Sequence, residues 1–207
     1  MHLAQPHSTS STDKRVAEIL ASIRTTFAEK GFDGASMQDL ARAAGMSVGN
    51  FYRYFPSKAD IVSQLIALDL DQMSADFGAA MQAKDPLQCL RDGIFAKLQM
   101  HQDCSDGQLW AEITASALRK PEIGAVACHM EAEIIGHLTR IFAAATGLPL
   151  AEVAERFDAQ ARFMIILFKS ASMMAPEPGK ARDDLNALIL RTINQTLDDV
   201  ASASVKV

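Results

Sequence analysis

The segment from Ser47 to Lys58, SVGNFYRYFPSK, concentrates side chains that are able to bind phosphate. Two tyrosines, an arginine and a lysine alternate here with two phenylalanines, and neither Asp nor Glu occurs from Leu40 to Ala59. Phenol hydroxyls and cationic side chains of this kind contact the phosphate oxygens of nucleic acids. The segment is therefore a candidate site for a polyanion.

The charge of the rest of the chain makes this basic segment a local feature. The 207 residues carry a formal net charge of -5. Residues 1–60 hold 7 Lys and Arg against 6 Asp and Glu, whereas the remainder holds 13 against 19. A polyanionic partner is therefore expected to bind the N-terminal end of the molecule.

Three residues with metal-binding side chains, His129, Glu133 and His137, follow one another at four-residue intervals. On a helix they share one face, but the first and third are ~12 Å apart along the axis, which is too far for one ion. At most two of them can bind the same ion. A solvated helix face is the favoured interpretation, and no metal is predicted.

Signals of redox chemistry, catalysis and membrane insertion are weak. Cys89, Cys104 and Cys128 form no CxxC pair, so free thiols in a reducing compartment are favoured over a redox switch. No GxGxxG, P-loop or GxSxG motif occurs, and we predict neither an enzyme nor a cofactor. Residues 1–12 contain no apolar secretory segment, and the apolar run Phe163–Phe168 is too short to cross a bilayer. A cytoplasmic protein is expected.

Apolar residues recur at helical spacing along the chain, and the seven prolines fall between the periodic segments. No alternating, hairpin-forming pattern is present. The sequence therefore predicts an all-α protein, preceded by a disordered tail at residues 1–12. The predicted helices span residues 13–30, 37–44, 48–54, 58–83, 86–102, 107–119, 121–145, 150–174 and 179–200.

The second and third helices have the capping and turn residues that are typical of a helix-turn-helix. Ser36 and Ser57 each begin an S-x-x-D sequence, which predicts a capping box at the start of a helix. Between them, Gly45 can adopt positive φ after one helix and Ser47 can cap the next.

The third helix has one apolar face and one polar face. Phe51 and Phe55 are four residues apart and are expected to pack on Ile23, Leu40 and Ala41. The first turn, Val48 to Asn50, is the part of such a helix that meets base edges in a major groove.

The sequence from Gly31 to Ile66, GFDGASMQDLARAAGMSVGNFYRYFPSKADIVSQLI, resembles the DNA-binding segment of the TetR family of bacterial transcriptional regulators. The resemblance covers about a third of the chain. It implies a nine-helix fold with an N-terminal three-helix head, here residues 13–57, and a C-terminal helical bundle, residues 58–207, for effector binding and dimerisation. The contacts with duplex DNA that it implies involve Ser36, Gln38, Ser47, Val48, Gly49, Asn50, Tyr52, Arg53, Tyr54 and Lys58.

Several relatives have a polar residue where this chain has Val48, so contact with a thymine methyl replaces a base hydrogen bond in the expected readout.

Two features of the larger part complete the prediction. The segment RFMIILFK, ending at Lys169, is apolar nearly all round, which favours burial on both sides. The resemblance implies that the last two helices pair with those of a second copy in a homodimer. It also implies an effector pocket among the middle helices, although core packing alone would explain the same residues; Glu112 and His101 are candidates for polar contacts there. The predicted ligand-binding residues are Phe95, Met100, Trp110, Met130, Met164 and Phe168.

The resulting hypothesis is a cytoplasmic, dimeric DNA-binding regulator, most simply a repressor, that a small apolar or amphipathic molecule releases from a near-palindromic operator. Two alternatives stay open at this point. One is a regulator that senses metal or thiol oxidation through His129, His137 or the cysteines. The other is a helical interaction protein without DNA binding.

Overall fold

The computed structural model describes residues 11–100, 104–173 and 179–203. Within these ranges the chain forms nine α-helices and no strand, which confirms the all-α fold. The predicted tail falls largely on residues 1–10, outside the described part, whereas Ser11 and Thr12 already belong to the first helix. The helices are α1 (Ser11–Gly34), α2 (Met37–Ala43), α3 (Val48–Tyr54), α4 (Lys58–Gln82), α5 (Pro86–Met100), α6 (Cys104–Ala117), α7 (Pro121–Thr146), α8 (Leu150–Met173) and α9 (Lys180–Ala201).

Each predicted helix is present, and α1 differs most from the prediction because it continues past residue 30 to Gly34. The continuation is kinked, since Gly31 has φ 70° and ψ 172°. That conformation is open almost only to glycine. The kink turns the last residues of α1 away from the helix axis and towards α6.

The first three helices and the start of α4 share one apolar core. Phe51 of α3 and Phe55, which follows the last residue of that helix, are fully buried, with ring centroids 5.2 Å apart. As predicted, they belong to the same cluster as Ile23, Leu40 and Ala41. The cluster continues through residues of α6 and α7. The small unit formed by α1, α2, α3 and the start of α4 therefore packs directly against the larger part of the molecule.

A second core lies among α4, α5, α7, α8 and α9. Phe142 and Phe157 meet edge to face at its centre, with ring centroids 6.3 Å apart. On α9, Ile189, Ile193 and Leu197 are buried, whereas Leu188 is exposed. The apolar residues of α9 therefore divide between the core and the molecular surface.

Within the described ranges, no single helix has the length and hydropathy needed to cross a membrane. Taken together, α7 and α8 meet that test by length and composition only, with a bend of 116° at the break between them.

Candidate nucleic-acid interface and interior cavity

The start of α2 is held by a complete capping box. The hydroxyl of Ser36 accepts from the Asp39 backbone N–H at 3.1 Å, and the Asp39 carboxylate accepts from the Ser36 N–H at 3.1 Å. The ammonium of Lys30 donates to the same carboxylate at 2.8 Å. These bonds, that of Lys30 first, lower the pKa of Asp39 well below its ordinary value. The carboxylate thus stays ionised and fixes the end of α1 to the start of α2.

The turn between α2 and α3 has the hydrogen bonds of a Schellman motif. Gly45 adopts φ 63°, its N–H donates to the Arg42 carbonyl at 3.0 Å, and the Met46 N–H donates to the Ala41 carbonyl at 2.9 Å. Ser47 then caps α3, because its hydroxyl accepts from the Asn50 N–H at 3.3 Å. The turn and the cap set the angle at which α3 leaves α2.

The start of α4 departs slightly from the predicted capping box. The Ser57 hydroxyl accepts from the Asp60 N–H at 3.2 Å, as expected. The Asp60 carboxylate, however, accepts from the Ser57 hydroxyl at 2.7 Å instead of from its backbone N–H. Only half of the second box is therefore formed.

The outer face of α3 is polar and free of carboxylates. Ser47, Gly49, Asn50 and Arg53 are exposed, as is Tyr52 with 46% of its surface accessible. Val48 is 37% exposed at the first position of the helix. On α2, Ser36 and Gln38 are also exposed, so the candidate contacts on both helices are accessible to a ligand.

Tyr54 and Lys58 lie differently from the other candidates. Tyr54 is half-buried, with its ring centroid 6.4 Å from that of Phe55. The Lys58 ammonium donates to the backbone carbonyl of Phe32 at 2.6 Å and to that of Asp33 at 3.3 Å. In this arrangement Lys58 supports the end of α1, a positioning role that its sequence context did not indicate.

A cavity of about 320 Å³ lies between the helices of the larger part. Trp110, Met130, Met164 and Phe168, all candidate ligand-binding residues, line it. Its volume falls in the range of small-molecule sites. The other described lining residues that bear sulfur or aromatic groups are Met73, Phe77, Cys89 and Met173.

Three residues that the sequence suggested for the pocket either lie elsewhere or fall outside the described residues. Phe95 is 51% exposed and lies on an open surface groove between α5 and α9, not in the cavity. The reason is helical phase, because α5 turns Leu90 and Ile94 towards the cavity and the next residue away from it. The Met100 side chain and His101 lie outside the described residues.

The cavity reaches the first helix of the small unit. Arg24 of α1 and Asp69 of α4 both line it, and their closest charged atoms are 3.2 Å apart. Asp76 of α4 and Lys97 of α5 line the cavity as well, and their charged atoms are 2.9 Å apart. Displacement of α4 or α1 therefore changes the cavity wall directly.

Helix α6 connects the cavity to the kinked end of α1. Trp110 and Thr114 face the cavity, whereas Glu112 between them faces α1 and accepts from the Phe32 N–H at 3.2 Å. A β-carbon at Gly31 would lie 2.7 Å from the Glu112 carboxylate. Glu112 is thus not a pocket residue, contrary to the expectation, because it lies on the opposite face of α6.

The connection between α6 and α7 holds the same end of α1. Lys120 donates to the Asp33 carboxylate at 2.6 Å, and its ammonium lies 4.7 Å from the centroid of the Phe32 ring. The hydrogen bond from Lys120 is the main reason that the pKa of Asp33 is lowered.

His137 packs against an aromatic ring and not in a metal site. His137 stacks on Phe77 with 4.9 Å between ring centroids, and its ring nitrogens lie 3.2 Å from the Ser74 hydroxyl and 3.0 Å from the Arg140 guanidinium. Burial is the main cause that lowers the pKa of His137, which favours the neutral imidazole. His129 is exposed, and no group of three or more His, Cys, Asp or Glu suited to a metal ion occurs among the residues described.

Comparison with known proteins places the small unit in a family. Residues 19–65 match the family model described as bacterial regulatory proteins, tetR family. The small unit, with the first turns of α4, is a TetR-family N-terminal domain.

Curated relatives of this TetR-family domain are named as helix-turn-helix regulators. The chain is 40% identical over 60 residues to the uncharacterized HTH-type transcriptional regulator YfiR of Bacillus subtilis, a match that spans 29% of each chain. It is 37% identical over 86 residues to the HTH-type transcriptional regulator EthR of Mycolicibacterium smegmatis, spanning 41% of this chain and 40% of that one. The matches thus span less than half of either relative.

Solved structures extend the likeness to the whole fold. Salmonella enterica GusR superposes with a TM-score of 0.70 at 21% identity, over 93% of this chain and 98% of that one. A putative transcriptional regulator from Pseudomonas aeruginosa superposes with a TM-score of 0.71 at 17% identity, over 93% and 92%. The chain therefore shares its overall fold with these two proteins over more than nine-tenths of its length.

The TetR-family head presents a further exposed cation that the charge pattern of the sequence had already indicated. Arg42 lies on α2 with its side chain exposed, inside the same acid-free window as Arg53. The acid-free window was its sequence signal, although its guanidinium lies 3.8 Å from the carboxylate of Asp39, which comes just before that window. The pairing of Arg24 with Asp69 had no comparable signal, because 45 residues separate the two in the chain.

Proposed function

We propose that this chain is a dimeric transcriptional regulator that binds duplex DNA through α3 and leaves its operator when a small apolar or amphipathic molecule enters the cavity. The observation that carries the proposal is the division of α3 into two faces. Phe51 and Phe55 anchor it in the core, while Tyr52 and Arg53 are exposed on a helix whose own sequence contains no carboxylate. Such a face suits phosphates and base edges in a major groove.

Within this proposal, the described residues divide by role. Ser36, Gln38, Asn50, Tyr52 and Arg53 are exposed and serve as phosphate contacts. Ser47, Val48 and Gly49 lie at the tip of α3 nearest the bases, and the exposed Val48 suits a thymine methyl. Tyr54 is half-buried, and Lys58 acts chiefly by holding the end of α1.

A second copy of the chain is required because one small head makes few phosphate contacts. Apolar side chains exposed on α8 and α9 support a dimer surface there. They are Phe163, Ile166, Leu185 and Leu188. Paired heads then contact half-sites about one helical turn, ~34–36 Å, apart on a near-palindromic operator.

Control by an effector follows from what each helix touches. A ligand in the cavity contacts α4, whose first turns pack in the head, and α6, whose Glu112 holds the end of α1. The ligand weakens DNA binding only as far as it prefers the DNA-incompetent arrangement. A coupling of ~1–3 kcal/mol corresponds to a 5–150-fold loss of operator affinity. The proposed regulator acts in the cytoplasm, where the DNA is.

The direct test is DNA binding by purified protein. A genome-wide footprint yields an operator fragment, and its affinity is then measured between 50 and 200 mM salt, a range chosen because phosphate contacts make binding strongly salt-dependent. Arg53→Ala and Tyr52→Phe are expected to weaken binding to all duplexes, and Arg53→Ala to reduce the salt slope by about 1. Lys84→Ala, an exposed lysine between α4 and α5, is the matched control. Salt-independent binding, or equal binding by all variants, contradicts the proposal.

The dimer has its own test. Ile166→Asp, at a side chain 60% exposed on α8, is expected to yield monomers in analytical ultracentrifugation while the helical circular dichroism stays unchanged. Leu118→Asp, at a side chain 85% exposed just after α6, is the control and leaves the dimer intact. Dimers of Ile166→Asp at micromolar concentration would place the interface elsewhere.

A further inference from the structure

The cationic residues around the cavity are each paired with a carboxylate. Arg24 faces Asp69 at 3.2 Å and Lys97 faces Asp76 at 2.9 Å. The third cation that lines the cavity, Lys169 of α8, donates to the carboxylate of Glu131 on α7. Each positive charge on the described wall is therefore matched by a carboxylate on another helix.

This balance disfavours a charged ligand. An ion taken from water into the apolar interior needs a partner of opposite charge, and here each partner is already engaged. An anion that approaches one of these cations also meets the carboxylate already paired with it, and a cation that approaches a carboxylate meets the cation paired with it. A neutral molecule enters with all three pairs intact.

The rest of the wall suits an apolar body. Four methionines and three aromatic side chains line the cavity, and methionine adapts its shape to irregular ligands. Aromatic rings and thioethers also pack favourably on an aromatic ligand. These residues are Met73, Phe77, Trp110, Met130, Met164, Phe168 and Met173.

One hydroxyl in the wall is available to a ligand. The Thr114 hydroxyl donates to the Met173 sulfur at 3.7 Å, and a thioether is a weak acceptor. The other hydroxyl, that of Ser172, donates to the Phe168 backbone carbonyl at 3.0 Å, a stronger partner. A ligand oxygen therefore replaces the sulfur at Thr114 more readily than the carbonyl at Ser172.

We propose that the cavity selects neutral, mainly aromatic or alkyl molecules with one oxygen acceptor, which receives the hydrogen bond of Thr114. Carboxylates and amines with the same apolar body are rejected because they disturb the ion pairs of Arg24, Lys97 or Lys169. This ligand class rests on the proposed function only in its role as effector. Binding itself is measurable without DNA.

The fluorescence of Trp110 reports the binding. It is the one tryptophan of the sequence, and it lines the cavity. Four probes share a phenylalkyl body: 4-phenylbutan-2-one, butylbenzene, 3-phenylpropanoate and 3-phenylpropylamine. At pH 7 the ketone is expected to bind at least about 10-fold tighter than either ion, since an ion loses its hydration and finds each opposite charge of the wall already neutralised.

Substitution of the hydroxyl separates its contribution from apolar burial. Thr114→Val is expected to weaken the ketone about 3–10-fold, the range for one hydrogen bond, and to leave butylbenzene unchanged. Thr114→Ser, which keeps the hydroxyl, retains the preference for the ketone. Phe95→Ala, outside the cavity, leaves the affinities of all four probes unchanged.

Three results overturn the proposal: an ion that binds as tightly as the ketone, a ketone affinity equal in Thr114→Val and the unaltered chain, or no saturable quenching by any probe. Failure of the proposed function looks different. In that case the ketone binds as expected, but saturating ketone leaves the affinity for the footprinted duplex unchanged.

Discussion

The head and the cavity differ in how far apart in the sequence their contacting residues lie. In the head, the residues that act together are close in sequence: Ser36 with Asp39, Ser47 with Asn50, and Tyr52 beside Arg53. In the cavity, partners such as Arg24 and Asp69 or Lys169 and Glu131 come from distant parts of the chain. The arrangement of the head thus depends on local geometry, and the arrangement of the cavity depends on how separate helices pack.

The two regions also differ in how well they tolerate changes in side-chain size. The core of the head closes completely around Phe51 and Phe55, and close-packed interiors of this kind lose stability with each missing methylene. The cavity wall borders empty volume and contains many methionines, which adjust to changes of shape. We therefore expect equal changes in side-chain size to lower the free energy of unfolding more in the head than in the cavity.

The largest effect is expected from Phe51→Ala. The ring is fully buried against Phe55, so its removal costs about 3–5 kcal/mol of unfolding free energy and abolishes DNA binding. Urea denaturation followed by circular dichroism measures the change. Phe95→Ala, at an exposed ring, is the control and stays within about 0.5 kcal/mol. Equal losses in the two variants contradict the comparison.

A smaller effect is expected from Gly31→Ala at the kink of α1. The backbone there has φ 70° and ψ 172°, which costs a residue with a side chain about 1–3 kcal/mol, and the new β-carbon meets the Glu112 carboxylate. Gly34→Ala is the matched control, since its β-carbon makes only ordinary contact with Lys30. The free energies of unfolding of both variants are measured by denaturation. Similar free energies for the two variants would show that the backbone at Gly31 does not require glycine.

Met164→Leu tests the tolerance of the cavity wall. The side chain is buried, but the exchange conserves volume and the wall is adaptable, so the unfolding free energy changes by less than about 1.5 kcal/mol. The affinity for 4-phenylbutan-2-one is expected to change severalfold, measured by Trp110 fluorescence. A loss of stability as large as that of Phe51→Ala would remove the distinction between the two regions.

The smallest effect concerns pH and Asp39. Its pKa is lowered in the folded chain, chiefly by the bond from Lys30 and then by those from Ser36, so ionisation favours the folded state. This stabilisation is complete above the ordinary pKa of 3.8 and is lost as the pH falls through the lower folded value. Asp39→Asn should therefore be less stable than the unaltered chain at pH 6, and the gap should narrow below pH 4. If the difference in stability between Asp39→Asn and the unaltered chain does not change with pH, it arises from capping geometry alone.

Much of the head could be predicted because its signals are short-range. The caps at Ser36 and Ser47, the positive φ of Gly45 and the buried pair Phe51 and Phe55 all follow from residues within a few positions of one another. Lys58 is the exception. Its ammonium binds carbonyls at the end of α1, 25 and 26 residues earlier, and nothing in its neighbourhood indicates that contact.

The cavity was predictable only in part, for two separate reasons. The family resemblance implied an effector pocket, and of the residues predicted for it Trp110, Met130, Met164 and Phe168 line the cavity. Composition says nothing about helical phase, which turns Phe95 to the surface and Glu112 to α1. It also says nothing about which charges pair, and that pairing is the basis for expecting a neutral ligand.

The helices, the caps, the turn and the polar face of α3 follow from short stretches of sequence, because hydrogen bonds between near neighbours and helical periodicity act over a few residues. Tertiary structure alone decided the cavity, the ion pairs that border it and the contact of Glu112 with the kinked end of α1. These depend on the relative position and rotation of whole helices, which apolar packing sets only when the chain has folded.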